Sequence, residues 1–91
     1  MSYNVLIVDD SAVMRRMVRR ALSTCDVPMG EILEASNGEQ ALQVLSELWV
    51  DLVLTDINMP HMSGHTMLET MQQSNELVAI ATIVVTSEKS A

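Results

Sequence analysis

The chain switches repeatedly between two patterns of apolar and polar positions. Val5-Leu6-Ile7-Val8 is an unbroken apolar run, three of its four residues β-branched, that stops at Asp9-Asp10-Ser11. A short continuous run of this kind predicts a strand buried on both faces, as in a parallel sheet. Leu52-Val53-Leu54-Thr55-Asp56 repeats the design, and a run from about Ala79 closes with Ile83-Val84-Val85-Thr86, ending in a hydroxyl. Between these runs the period changes to that of a helix. Val13, Met14, Met17, Val18, Ala21 and Leu22 recur at three- and four-residue spacing, behind a cap from Ser11 or Asp10 and up to a stop near Cys25-Asp26, before Pro28 and Gly30. Glu31-Ile32-Leu33-Glu34-Ala35 alternates imperfectly and predicts an edge strand whose acids face water.

Ser36 with Glu39, or Asn37 with Gln40, has capping-box spacing. Either opens a second helix with Ala41, Leu42, Val44, Leu45 and Leu48 inward, and Trp49-Val50-Asp51 turns into the next buried strand. Beyond Asp56, Pro60 and Gly64 mark a loop, and Ser63 caps a third helix to about Gln73 with Met67, Leu68 and Met71 inward. The resulting order, βαβαβαβ, predicts an α/β fold: a parallel sheet with helices on both faces and right-handed crossovers.

Composition narrows the setting. Ninety-one residues make one small domain, 1–91, which buries only about 60–65% of its unfolded surface. Apolar residues make up 48% of it, with eight Met, one Trp, one Tyr and no Phe, so the core must be aliphatic and Met-filled. No apolar run approaches the ~18–20 residues that span a bilayer. The lone Cys25 forms no internal disulfide and reads as a small core or boundary residue, and no secretory leader is evident. These features point to the cytoplasm. With five basic and twelve acidic residues the net charge is −7, which argues against nucleic acid or an acidic lipid surface as a partner. Four of the five basic residues, Arg15, Arg16, Arg19 and Arg20, fall in one helix and read as its solvated face.

The buried strands would deliver Asp9, Asp10, Asp56 and Thr86 to one edge of one sheet, the edge where open α/β sheets bind ligands. Adjacent residues of an extended strand point to opposite faces, so Asp9 and Asp10 share a site only if the chain turns there. Three clustered carboxylates repel one another, and a divalent cation relieves the repulsion. Hard oxygen donors with room for water suit Mg²⁺, and the backbone carbonyl of Asn58 offers another oxygen. A carboxylate beside a cation and a hydroxyl suggests phosphoryl transfer onto the carboxylate, with Thr86 donating to a phosphoryl oxygen. A nucleotide site is weakly supported, because no glycine-rich phosphate loop follows the first strand. A metal-dependent phosphohydrolase needs a general acid near Asp56, and Asn58 is not one. His61 and His65 read as polar loop and helix-start residues without a role.

Val8-Asp9-Asp10-Ser11 with Met14-Arg15-Arg16, then Leu54-Thr55-Asp56-Ile57-Asn58-Met59-Pro60 with Gly64, then Val84-Val85-Thr86-Ser87, resemble in order the motifs of receiver domains of two-component response regulators, most closely the single-domain chemotaxis type. The resemblance covers the whole chain. It implies a flavodoxin-like sheet of order 2-1-3-4-5, with Asp56 as phosphoacceptor and Thr86 as switch hydroxyl. It also implies Mg²⁺ at Asp9, Asp10, Asp56 and the Asn58 carbonyl, a sensor histidine kinase as donor, and an output partner that the sequence does not name. Members of that family continue with a helix, a fifth strand and a last helix, carrying a switch aromatic and a Lys-Pro motif. Lys89 does not match that lysine. The chain therefore reads as a receiver truncated after its fourth strand, whose raw edge is covered by a homodimer or by exchange of elements between copies. The alternative is a fragment incompetent for phosphorylation that serves only as a self-associating scaffold.

Overall fold

The computed structural model describes residues 3–56, 64–74 and 80–84. Their order is β1 (Tyr3–Val8), α1 (Ala12–Ser23), β2 (Met29–Ala35), α2 (Gly38–Glu47), β3 (Leu52–Thr55), α3 (Gly64–Gln72) and β4 (Ala81–Val84). The strands are all parallel and lie in the order β2-β1-β3-β4. β1 is buried on both faces as its composition requires, with Val5, Leu6, Ile7 and Val8 at 2% exposure or less. β2 is an edge strand, as expected, but begins two residues earlier, at Met29.

Asn4 sets the register from the opposite end of the sheet. Its backbone N–H donates to Asp51 Oδ2 (2.9 Å), its carbonyl accepts from the Asp51 N–H (2.9 Å), and its side chain donates to the Trp49 carbonyl (3.0 Å). The same side chain accepts from the Glu31 N–H (2.9 Å), so one residue ties the entries of β2 and β3 to β1. With those entries fixed, Val8 stands between Ala35 and Thr55 in the ladder. β1 and β3 therefore run out of strand at the same level, and the next residues, Asp9 and Asp56, are neighbours.

Side chains alternate across the sheet. Leu6, Val8, Ala35 and Val53 face one way and pack with Ala41 and Leu45 of α2 and Met67 and Met71 of α3. Val5 and Ile7 face the other way, toward α1. The inward positions expected for α3 are confirmed: Met67 and Met71 are buried and Leu68 is half-buried. For α2 the Asn37–Gln40 alternative is the one formed. The Gln40 N–H donates to Asn37 Oδ1 (2.8 Å), while Gln40 Oε1 accepts from the Ser36 N–H (3.0 Å).

Several expectations are corrected. The apolar stripe of α1 is only partly inward: none of its residues is fully buried, and Val13 and Met17 are 60% and 59% exposed. Met14, Val18 and Leu22, at four-residue spacing, are half-buried. Leu48 is exposed because α2 ends at Glu47 and Leu48 adopts φ −128°, ψ 146°, which carries its side chain off the helical face. α1 ends at Ser23 rather than Cys25-Asp26, closed by the Thr24 hydroxyl donating to the Ala21 carbonyl (2.8 Å). Cys25 lies past that end and is exposed. Ser63 and the outer residues of the last run, Ala79 and Val85, lie outside the described residues.

Candidate metal centre at the carboxyl edge of the sheet

Asp9 follows β1, Asp10 occupies the bend into α1, and Asp56 follows β3. The bend is built locally. Ser11 has extended backbone angles, and its hydroxyl accepts from the Met14 N–H (3.3 Å) as the α1 cap, so Ser11 rather than Asp10 fills that role. The Ser11 N–H donates to Asp9 Oδ1 (2.9 Å), turning the chain over the Asp9 side chain. This turn overcomes the strand alternation that would send the two acids apart. On the ladder side, the Asp9 N–H donates to the Ala35 carbonyl (3.1 Å) and the Asp56 N–H to the Val8 carbonyl (3.0 Å). The Thr55 hydroxyl, fully buried, donates to the Asp56 carbonyl (3.0 Å).

These constraints bring one carboxylate oxygen from each of Asp9, Asp10 and Asp56 within 4.8 Å of the others. Among the described residues it is the one cluster of three or more potential ligand side chains. Asp9 and Asp56 are 7% and 2% exposed, while Asp10 opens to solvent. Beneath them lies an apolar floor that includes Ile7, Met14, Val18 and Leu54. Burial on that floor pushes the Asp9 carboxyl above its ordinary range. The Ser11 N–H pulls the other way, and a hydrogen bond with Asp10 and the charges of Asp56 and Asp10 add to the upward push. The donor set fits a small hard dication: all carboxylate oxygens, two of them from buried residues, one residue open to water, and a mutual repulsion that two positive charges would offset.

Asn58 and Thr86 lie outside the described residues, as do His61 and Lys89; His65 falls at the start of α3. One functional arrangement was not anticipated. Arg15 and Arg19, read as part of a solvated face, are half-buried and engaged by β2 and the end of β1. Arg15 Nε donates to Glu34 Oε1 (3.0 Å) and its Nη1 to the Asp9 carbonyl (2.6 Å). Arg19 Nε donates to Glu34 Oε2 (2.9 Å) and its Nη2 to the Ile32 carbonyl (2.6 Å). Arg16 and Arg20 are exposed as expected. The available signal was Glu34, an acid in an edge strand one residue before Ala35, on the face toward α1.

A doubly wound parallel sheet with an acidic cluster where its central strands end is the architecture of an α/β module that binds its ligand at the carboxyl edge. The family model for the response regulator receiver domain matches residues 5–91, and the chain belongs to that family. The chemotaxis protein CheY-3 of Vibrio cholerae is 37% identical over 84 residues, covering 92% of this chain and 63% of that protein. The chemotaxis protein CheY of Bacillus subtilis is 41% identical over 73 residues, covering 80% of this chain and 59% of that protein. The chain thus spans less than two thirds of the length of these curated relatives. The solved structure of the chemotaxis response regulator CheY4 of Vibrio cholerae superposes with a TM-score of 0.84 at 28% identity, covering 99% of this chain and 72% of that one. No helix among the described residues is long and apolar enough to cross a membrane.

Proposed function

We propose that this chain is a single receiver unit that takes a phosphoryl group from a sensor histidine kinase onto Asp56 with the help of Mg²⁺. The observation that carries the reading is the convergence of Asp9, Asp10 and Asp56 within 4.8 Å at the carboxyl edge of β1 and β3. Asp9, Asp10, the Asp56 carboxylate and the Asn58 carbonyl would hold the cation, which when bound would supply positive charge for the phosphoryl oxygens. Asp56 contributes the nucleophile: one of its oxygens forms a bond to phosphorus as the bond from phosphorus to the donor imidazole nitrogen breaks, and the imidazole leaves with the electron pair. The buried Thr55 hydroxyl and the β1 ladder hold the Asp56 backbone, so the attacking oxygen is presented on a rigid strand end. Thr86 donates its hydroxyl to a phosphoryl oxygen of the product. The unit works in the cytoplasm as a signalling module whose output partner the sequence does not name.

Incubation with a small phosphoramidate donor and Mg²⁺, followed by mass spectrometry with peptide mapping, tests this directly. The expected result is one added phosphoryl group at Asp56, lost with EDTA and in Asp56→Asn. A Mg²⁺-dependent adduct elsewhere, or none, contradicts it.

The competing scaffold reading is favoured by one observation. Ile83 on the edge strand β4 is 51% exposed, and Val13 and Met17 of α1 are 60% and 59% exposed. Self-association through β4 covers that edge in either reading. Light scattering that finds a monomer at all concentrations rejects the homodimer.

A further inference from the structure

The Asp9–Asp10 peptide sits where β1 stops, so its carbonyl has left the ladder that satisfies the carbonyl before it. The Val8 carbonyl accepts from Asp56; the Asp9 carbonyl instead accepts from Arg15 Nη1 at 2.6 Å. Arg15 reaches that carbonyl from one turn inside α1 while its Nε is held by Glu34 Oε1 at 3.0 Å, and its side chain is only 17% exposed. The Asp9 side chain is held in turn by the Ser11 N–H, which donates to its Oδ1 at 2.9 Å. A bare guanidinium this near the cluster would repel a dication, but Glu34 supplies the compensating charge, and the pull of Arg19 and Arg15 keeps the Glu34 carboxyl below its ordinary range despite partial burial.

We propose that Arg15 is a positioning residue for the carboxylate cluster: anchored by Glu34, it fixes the Asp9–Asp10 peptide so that both side chains reach one cation. The proposal rests on the reading of the cluster as a Mg²⁺ site. Arg19 provides the internal control. It makes the same kind of grip, on Glu34 Oε2 and on the Ile32 carbonyl, but away from the acids. A purely adhesive role for these arginines predicts equal effects of losing either; a positioning role predicts a split.

The test compares Arg15→Met, Arg15→Lys and Arg19→Met with the native chain by calorimetric Mg²⁺ titration, thermal melting and hydrogen exchange of the Ser11 amide. Both methionine variants are expected to melt at similarly lowered temperatures. Arg15→Met is expected to weaken Mg²⁺ binding about tenfold, the size of effect seen when a group that orients a metal ligand is removed. Arg15→Lys, which reaches the carbonyl but cannot also fork to Glu34, falls between Arg15→Met and the native chain. Arg19→Met changes affinity less than about twofold, within the scatter expected for a distant site. Ser11 amide exchange quickens in Arg15→Met and not in Arg19→Met, a readout that needs no metal and survives if the native chain binds none. Equal loss of affinity in both methionine variants, or an unchanged Ser11 amide in Arg15→Met and Arg15→Lys, overturns the proposal. Absence of Mg²⁺ binding by the native chain instead overturns the function proposed above.

Discussion

The two faces of the sheet are built from the same strands and end in different states. On the α2–α3 face, Leu6, Val53, Ala41 and Met67 are completely buried and Val8, Ala35 and Met71 nearly so. On the α1 face the strand residues Val5 and Ile7 are closed over, but the helix above them buries nothing fully, and Tyr3, Val13, Met17, Val27 and Ile83 are 46–60% exposed. The first face is a finished aliphatic core. The second is held to its helix as much by polar contacts, through Arg15, Arg19 and Glu34, as by apolar ones. The acidic cluster belongs to both: its backbone is fixed by the ladder of the finished core, and its turn by α1.

Substitutions on the finished face should cost most. Leu6→Ala and Met67→Ala are each expected to destabilise by about 3 kcal/mol in urea unfolding, since neither site has solvent to relax into. The matching change on the open face, Met17→Ala, should stay within about 0.5 kcal/mol. Equal costs on the two faces would erase the contrast.

The next effect belongs to the acids. A carboxyl whose pKa is raised by folding binds its proton more tightly in the folded chain, so its contribution favours folding at low pH. That contribution is lost as pH rises from the unfolded value of about 3.9 through the raised folded one. Without Mg²⁺, Asp9 therefore costs stability at neutral pH. Asp9→Asn, whose amide oxygen still accepts from Ser11, should stabilise the metal-free chain at pH 7 by about 1 kcal/mol and remove the stabilisation that saturating Mg²⁺ gives the native chain. Thermal melts at pH 5 and pH 7, with and without Mg²⁺, measure both.

The smallest effect is on the open face's polar seam. Glu34 has the opposite sign to Asp9: its pKa is lowered on folding, so its contribution is present above the unfolded value and fades as pH falls through the folded one. Glu34→Gln should cost about 0.5–1 kcal/mol at pH 7, less in high salt, as expected for a partly exposed ion pair.

The strands were legible because burial on both faces leaves an unmistakable mark: Val5–Val8 and Leu52–Thr55 carry no polar residue except the closing threonine. The convergence of Asp9, Asp10 and Asp56 followed from placing those runs in one parallel sheet, and register delivered it. What the chain did not reveal was non-local. A helical stripe such as Val13-Met14-Met17-Val18 states which side can be buried, not how much of it another element covers. Arginines at helical spacing look solvated until the acid that holds them is known, and Glu34 lies on a different strand. Leu48 kept the helical period in sequence but fell one residue past the helix end, where the backbone had already turned extended. The roles read for Asn58 and Thr86, first from their place beside the acids and then from the family resemblance, fall on residues outside the described ones.

The most direct measurement is a calorimetric Mg²⁺ titration at pH 7 of the native chain beside Asp9→Asn and Asp56→Asn. Three carboxylates acting as one cation site predict a single binding event in the native chain that both variants sharply weaken or abolish. Binding that is unchanged in either variant, or no binding in the native chain, would contradict the account.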